Sequence, residues 1–204
     1  MSQTSPESTP PGSDADRWNE RYAQDSFVFG DQPNVWLRAH AHHWRMGDRV
    51  LCVADGEGRN SVWLAQQGLR VDAFDISSVG VAKARRLAAQ HGVQIDFEVE
   101  DCDRFAWPRD AYDGIAAIFV QFAAPAMRER MFERIVGSLA PGGVLVPKGT
   151  RPGSSSIGLA GHPNLIICTR NICCAKPLGR WRFWNCLTTR LSWTRALGTW
   201  GDQQ

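Results

Sequence analysis

Hydrophobic and polar positions along this chain switch between a period near two and a period near 3.6, and the switches mark its elements. Val50 to Val53 is a short apolar run, long enough for a buried strand. A tight turn with Gly56 and Gly58 follows, then a helical pattern over Ser61 to Gln67, apolar at Val62, Leu64 and Ala65 and stopped by Gly68. A second strand, Leu69 to Phe74, ends in Asp75. Ser77 or Ser78 caps a helix from Val79 to His91, ended by Gly92, with Lys83, Arg85 and Arg86 on its wet face. A third strand, Gln94 to Val99, turns Ile95, Phe97 and Val99 inward. Asp113 to Phe119 is a fourth, continuously apolar strand, and Met127, Met131, Ile135 and Leu139 form one stripe along a helix from Ala126 to Leu139. Pro141-Gly142-Gly143 turns into a fifth strand, Val144 to Val146. Five strands alternating with helices predict an α/β fold, a doubly wound, mostly parallel Rossmann-like sheet covered on both faces.

Upstream, residues 1–15 are rich in Ser, Thr, Pro and Gly without periodicity and are expected to form a disordered tail. Trp18 and Tyr22 stand four apart on one helix face, where they either pack that helix onto the sheet or form a lid over a ligand. Pro33 to Trp44 reads as another helix. Its His40, His42 and His43 are at i, i+2, i+3, so no shared face and no metal site is predicted from them.

Residues 50–75 form a strand, glycine turn, helix, strand and terminal acid, the signature of a nucleotide-binding βαβ unit. Gly56 and Gly58 let the backbone turn sharply and lie against a ligand. Asp75, at the carboxyl end of the second strand, is placed to accept hydrogen bonds from both hydroxyls of a ribose. The turn reads Gly56-x-Gly58-x-x-Ser61, one glycine short of the dinucleotide fingerprint, and it carries Asp55 and Glu57. Acids oppose a pyrophosphate and suit a ligand with cationic groups. S-adenosylmethionine, with its ammonium, sulfonium and ribose, is therefore favoured over NAD. An NAD(P)-dependent oxidoreductase, or a non-catalytic nucleotide-binding remnant, is the alternative reading.

Charge divides the chain. Residues 1–150 carry 16 Lys/Arg against 20 Asp/Glu, whereas residues 151–204 carry 7 against the single Asp202. No apolar run reaches membrane-spanning length and no signal-peptide order is present at the N-terminus, so neither membrane association nor export is expected. The body holds only Cys52 and Cys102, which fits a reducing cytoplasm.

With these residues placed, residues 16–147 resemble class I S-adenosylmethionine-dependent methyltransferases, in particular the small bacterial branch similar to the tellurite-resistance and thiopurine types. The resemblance rests on Trp18-x-x-x-Tyr22, Phe29-Gly30-x-x-Pro33-Asn34, the glycine turn followed by Arg59-Asn60, Val71 to Ser77, Tyr112-Asp113, and Leu139-x-Pro141-Gly142-Gly143. It implies a seven-stranded sheet with cofactor contacts at the carboxyl ends of strands 1 to 4. Gly56 and Gly58 would then lie at the methionine end, Asp75 at the ribose, and Asp101 and Cys102 at the adenine, with Asp55, Asn60 and Ile76 also among the cofactor-binding residues. Gln121 would stand near the methyl group, and Trp18 and Tyr22 over the cofactor. The sequence departs from the family twice: Cys52 replaces the usual acid inside strand 1, and Ala54 replaces the first glycine. No catalytic residue is assigned, because a soft or ionised nucleophile needs no general base. A monomer acting on a small-molecule methyl acceptor, with no nucleic acid partner, is expected.

Residues 148–204 break the pattern. The text becomes Gly-Ser-rich, then carries Cys168, Cys173, Cys174 and Cys186 with Trp181, Trp184, Trp193 and Trp200, and lacks Glu. No C-x-x-C pair supports zinc. A basic, Trp-bearing tail can stack on single-stranded nucleic acid, but a shift of reading frame in a GC-rich gene accounts better for its composition. Little regular structure is expected there, with the sheet incomplete at that end.

Overall fold

The computed structural model describes residues 12–149 and 167–168. Helix α1 (Asp14–Tyr22) starts from a capping box, in which Ser13 Oγ accepts from the Asp16 amide and the Asp16 carboxylate accepts from the Ser13 amide. Helix α2 (Val35–His40) is capped by Asn34 Oδ1, which accepts from the Trp36 amide at 3.0 Å. The core alternates β1 (Arg49–Val53), α3 (Arg59–Gln66), β2 (Arg70–Asp75), α4 (Ser78–Gln90), β3 (Ile95–Val99), β4 (Tyr112–Ile118), α5 (Pro125–Ser138) and β5 (Leu139–Lys148). A two-residue strand, β6 (Ile167–Cys168), completes the described sheet.

The strand order is β3-β2-β1-β4-β5-β6, parallel throughout except for β6, which pairs antiparallel with Val144 and Leu145. β1 is buried on both faces, as a central parallel strand must be. Val50 and Cys52 face a core with Leu37, Trp44, Val62, Leu64, Val81 and Leu87, whereas Leu51 and Val53 face one with Phe74, Ile115, Met131, Ile135 and Leu145. The direction of winding reverses between β1 and β4, so the crevice outside their carboxyl ends is the switch point where such sheets take ligands. No helix among the described residues is long and apolar enough to cross a membrane.

Several local expectations change in three dimensions. α1 begins at Asp14, inside the stretch expected to lack structure, because Ser13 caps it; residues 1–11 lie outside the described residues. The helix expected from Pro33 to Trp44 shortens to α2 and passes into a 3-10 turn at Ala41–His43. That tighter winding brings the His42 and His43 rings to 4.1 Å, centroid to centroid, and His40 and His43 to 6.2 Å. In β3 Phe97 is buried, but Val99 is 43% exposed on this edge strand. Pro141-Gly142-Gly143 is not a turn ahead of β5. It bulges within the strand, where Tyr112 pairs with Leu139 and Gly114 with Val144. β5 also continues past Pro147, which pairs with Ala117. Lys83 is not on a wet face: it is 4% exposed. Of the tail from 148 onward, Lys148 ends β5, Ile167 and Cys168 form β6, and residues 150–166 and 169–204 lie outside the described residues.

Candidate active site

The turn after β1 brings most of the candidate residues together. Gly56 and Gly58 both take positive φ, +65° and +88°, which only glycine adopts without strain. They are also close-packed: a Cβ on Gly56 would lie 2.7 Å from Tyr22 Oη, and one on Gly58 would lie 2.6 Å from Ala84 Cβ. Ala54 stands where the family has its first glycine and is itself held at φ +50°.

Asp75 ends β2 directly beside this turn. Its Oδ2 accepts from the Gly56 amide at 2.9 Å and its Oδ1 from the Ser77 amide at 2.8 Å. Burial raises its pKa, and these two amide bonds oppose the rise. Each oxygen keeps a further lone pair for another donor. Asp55 accepts from the Ser61 hydroxyl, and burial pushes its carboxyl up to about 6. The departure at Cys52 is a packing substitution: its thiol is buried in the core, which raises its pKa well above the ordinary value and leaves it inert.

The other polar residues of the turn, Glu57, Arg59 and Asn60, hold a neighbouring segment. The sequence pairs Glu57 with Asp55 as acids suited to a cationic ligand. Instead Glu57 is 4% exposed, accepts from the Val28 amide at 2.8 Å and forms an ion pair with Lys83 at 2.5 Å. Arg59 donates to the Phe29 carbonyl at 2.7 Å, and Asn60 Oδ1 accepts from the Asn34 amide at 2.9 Å. Three side chains in four positions thus grip one strap, residues 28–34, that crosses the turn. Asn60, proposed as a ligand residue, directs its carbonyl oxygen to that strap.

Trp18 and Tyr22 stack at 5.4 Å. Tyr22 is 4% exposed and wedged between two glycines, since a Cβ on Gly80 would lie 3.0 Å from its ring. Burial and the nearby Asp75 and Glu57 raise its pKa. Asn19 of the same helix accepts from Ser77 Oγ at 2.7 Å and so fixes α1 on the start of α4. None of these long-range contacts leaves a spacing signal in the sequence.

On the far side of Asp75, Ile76 is half-buried. Asp101 Oδ1 accepts from the amides of Asp103 and Arg104 at 2.7 and 3.0 Å, shaping the loop after β3. Cys102 is buried, its thiol pushed up to about 12 chiefly by burial, while its carbonyl accepts from Trp107 Nε1 and from Arg134. Arg130 and Arg134, four apart on α5, both bind Asp103. Their spacing was the visible sign of that clamp. Gln121 lies in the 3-10 turn Val120–Phe122 after β4, with its side chain outside the described ones.

Residues 50–143 match a family model described as a methyltransferase domain. The chain is 31% identical over 137 residues to thiopurine S-methyltransferase of Pseudomonas aeruginosa (strain UCBPP-PA14), covering 57% of this chain and 62% of that protein. It therefore spans about three fifths of that relative's length. Among solved structures, an S-adenosylmethionine-dependent methyltransferase from Geobacter sulfurreducens, in complex with S-adenosyl-L-homocysteine, is 20% identical at a TM-score of 0.53, covering 64% of this chain and 54% of its own. A TehB-like S-adenosylmethionine-dependent methyltransferase from Corynebacterium glutamicum is 21% identical at a TM-score of 0.50, covering 69% of this chain and 76% of its own. Sheet order, glycine turn and matched region agree: residues 50–143 of this chain match a methyltransferase domain in sequence and in fold.

Proposed function

We propose that the chain binds S-adenosylmethionine at the carboxyl edge of β1 and β2 and transfers its methyl group to a small molecule. The observation that carries this reading is the pair Asp55 and Asp75. Both carboxyls have pKa values raised by burial, and both take their hydrogen bonds from neutral donors, Ser61 in one case and backbone amides in the other. A cation brought alongside relieves that electrostatic cost, whereas a pyrophosphate adds to it. This pair of acceptors therefore fits the ammonium and ribose of S-adenosylmethionine better than a dinucleotide, and the NAD(P) reading is the weaker one.

When bound, the sulfonium supplies an electrophilic methyl group. The work of the protein is to position it and to exclude water. Asp75 accepts from the ribose hydroxyls, Asp55 sits at the cationic methionine end, and the Asp101–Cys102 backbone borders the adenine. Tyr22 covers the turn from the other side. The thiopurine relative supports a small acceptor with a soft nucleophile, for which no general base is required.

Isothermal calorimetry with S-adenosylhomocysteine and NAD side by side tests the reading. Binding of the first and no heat from the second is expected. Binding of NAD without response to S-adenosylhomocysteine overturns it.

A further inference from the structure

Lys83 lies on α4, on no strand edge and in no part of the glycine turn, yet the residue is almost completely buried, at 4% exposure. A lysine is rarely buried unless its charge is paired and its hydrogen bonds are made. Here they are. Nζ reaches Glu57 Oε1 at 2.5 Å, the Gln24 and Ser26 carbonyls at 2.8 Å each, and the Tyr22 carbonyl at 3.4 Å. The Phe27 ring centre is 5.1 Å away. Glu57 completes the arrangement by accepting from the Val28 amide with its other oxygen.

The partners of this one ion pair come from two places. Glu57 belongs to the turn between Gly56 and Gly58. Tyr22, Gln24, Ser26 and Val28 belong to the end of α1 and the segment after it, where no regular element supplies backbone partners. Polar backbone in such a segment must be satisfied by side chains or water, and Lys83 satisfies three consecutive-but-one carbonyls at once. Without it, residues 22–28 would be held by the packing of Tyr22 and Phe27 and by the Glu57–Val28 hydrogen bond.

We propose that Lys83, with Glu57, is a latch that holds Tyr22 over the glycine turn, which makes Lys83 a positioning residue for the cofactor site. This rests on the cofactor reading above for its functional consequence, though not for the latch itself. Lys83 touches no ligand atom in this scheme. It acts through the carbonyls of residues 22–26 and through Glu57, so that the wall over Gly56 is built before any ligand arrives. Preorganising a wall in this way lowers the ordering cost of binding.

The test uses the full chain and two variants, Lys83→Met and the double variant Glu57→Gln/Lys83→Met. The second leaves no unpaired buried carboxylate and so folds even where the first does not. Ile135→Val, which trims a fully buried side chain on the opposite face of the sheet, serves as the control for a general loss of stability. Two quantities are read well below each melting temperature. One is the rate of limited cleavage by trypsin after Arg21 and by chymotrypsin after Tyr22 and Phe27. The other is the dissociation constant for S-adenosylhomocysteine.

In both latch variants, cleavage at these three sites is expected to accelerate about tenfold or more, in proportion to the opened population of the segment. Affinity for S-adenosylhomocysteine should fall roughly 10- to 100-fold, the scale of a misplaced site wall. Ile135→Val should change neither. A latch variant that melts lower but keeps the original cleavage rate and affinity reduces Lys83 to a packing residue and overturns the proposal. If the unaltered chain does not bind S-adenosylhomocysteine, the cofactor reading fails. The cleavage arm still decides whether the latch exists.

Discussion

The Asp75 carboxylate and the Gly56 amide are joined by a hydrogen bond of 2.9 Å, so the end of β2 shapes the turn that follows β1. The same carboxylate is the candidate ribose acceptor. Asp75→Ala should therefore weaken S-adenosylhomocysteine binding by about 1–3 kcal/mol, the scale of leaving buried polar groups without a partner. Calorimetry measures this, with circular dichroism to establish that the fold persists. An unchanged dissociation constant would remove Asp75 from the site.

Ala54 is held at φ +50° where a glycine would be relaxed. Ala54→Gly should raise stability by about 0.5–1 kcal/mol, because relief of left-handed strain outweighs the extra freedom of glycine in the unfolded chain. A higher urea midpoint with an unchanged slope is the expected result. A lower midpoint would show that Ala54 is not strained.

Gly58 is the opposite case. Its φ is +88°, and an added Cβ would lie 2.8 Å from Ala84 Cα, which is backbone and cannot swing away. Gly58→Ala should cost about 2–4 kcal/mol from left-handed strain and overpacking together. Urea denaturation of the two proteins reads it directly. A loss below about 0.5 kcal/mol would mean that α4 yields to the methyl group.

The pH dependence follows from Asp55, whose carboxyl is pushed from 3.8 to about 6 by burial. Between these values the folded chain holds a proton that the unfolded chain has lost. The stability from this group is thus complete below pH 3.8 and is lost as pH rises through about 6. Asp75, raised in the same direction, adds to the trend. The ligand's ammonium group, which S-adenosylhomocysteine shares with S-adenosylmethionine, selects ionised Asp55, so affinity for S-adenosylhomocysteine should rise from pH 5 to pH 7. Asp55→Asn should flatten that profile. A profile identical in the two proteins would disconnect Asp55 from the ligand.

Residues 148–204 carry the reading-frame proposal. Shifting the frame at about residue 148 should produce text with acids and period-two apolar runs and should raise the yield of soluble protein. Stop codons or patternless text in both other frames would assign the tail to this protein.

The sequence by itself determined the alternation of elements, the glycine turn and the place of Asp75, because periodicity and glycine chemistry are local properties of a few consecutive residues. It also marked Trp18 and Tyr22 as neighbours, since helical spacing is local too. Only the tertiary structure decided what the acids of the turn do. Glu57 and Asp55 are chemically alike two positions apart, yet Glu57 turns to Lys83 and Val28, while Asp55 stays with Ser61 at the crevice. Lys83 reads as an exposed helix position because the segment that covers it, residues 22–28, lies some sixty positions earlier and carries no matching pattern. Its partners are mostly backbone carbonyls, which every residue owns and no sequence displays. The same reason hides the bulge in β5, where register with β4 rather than the local Pro-Gly-Gly text sets the path of the chain.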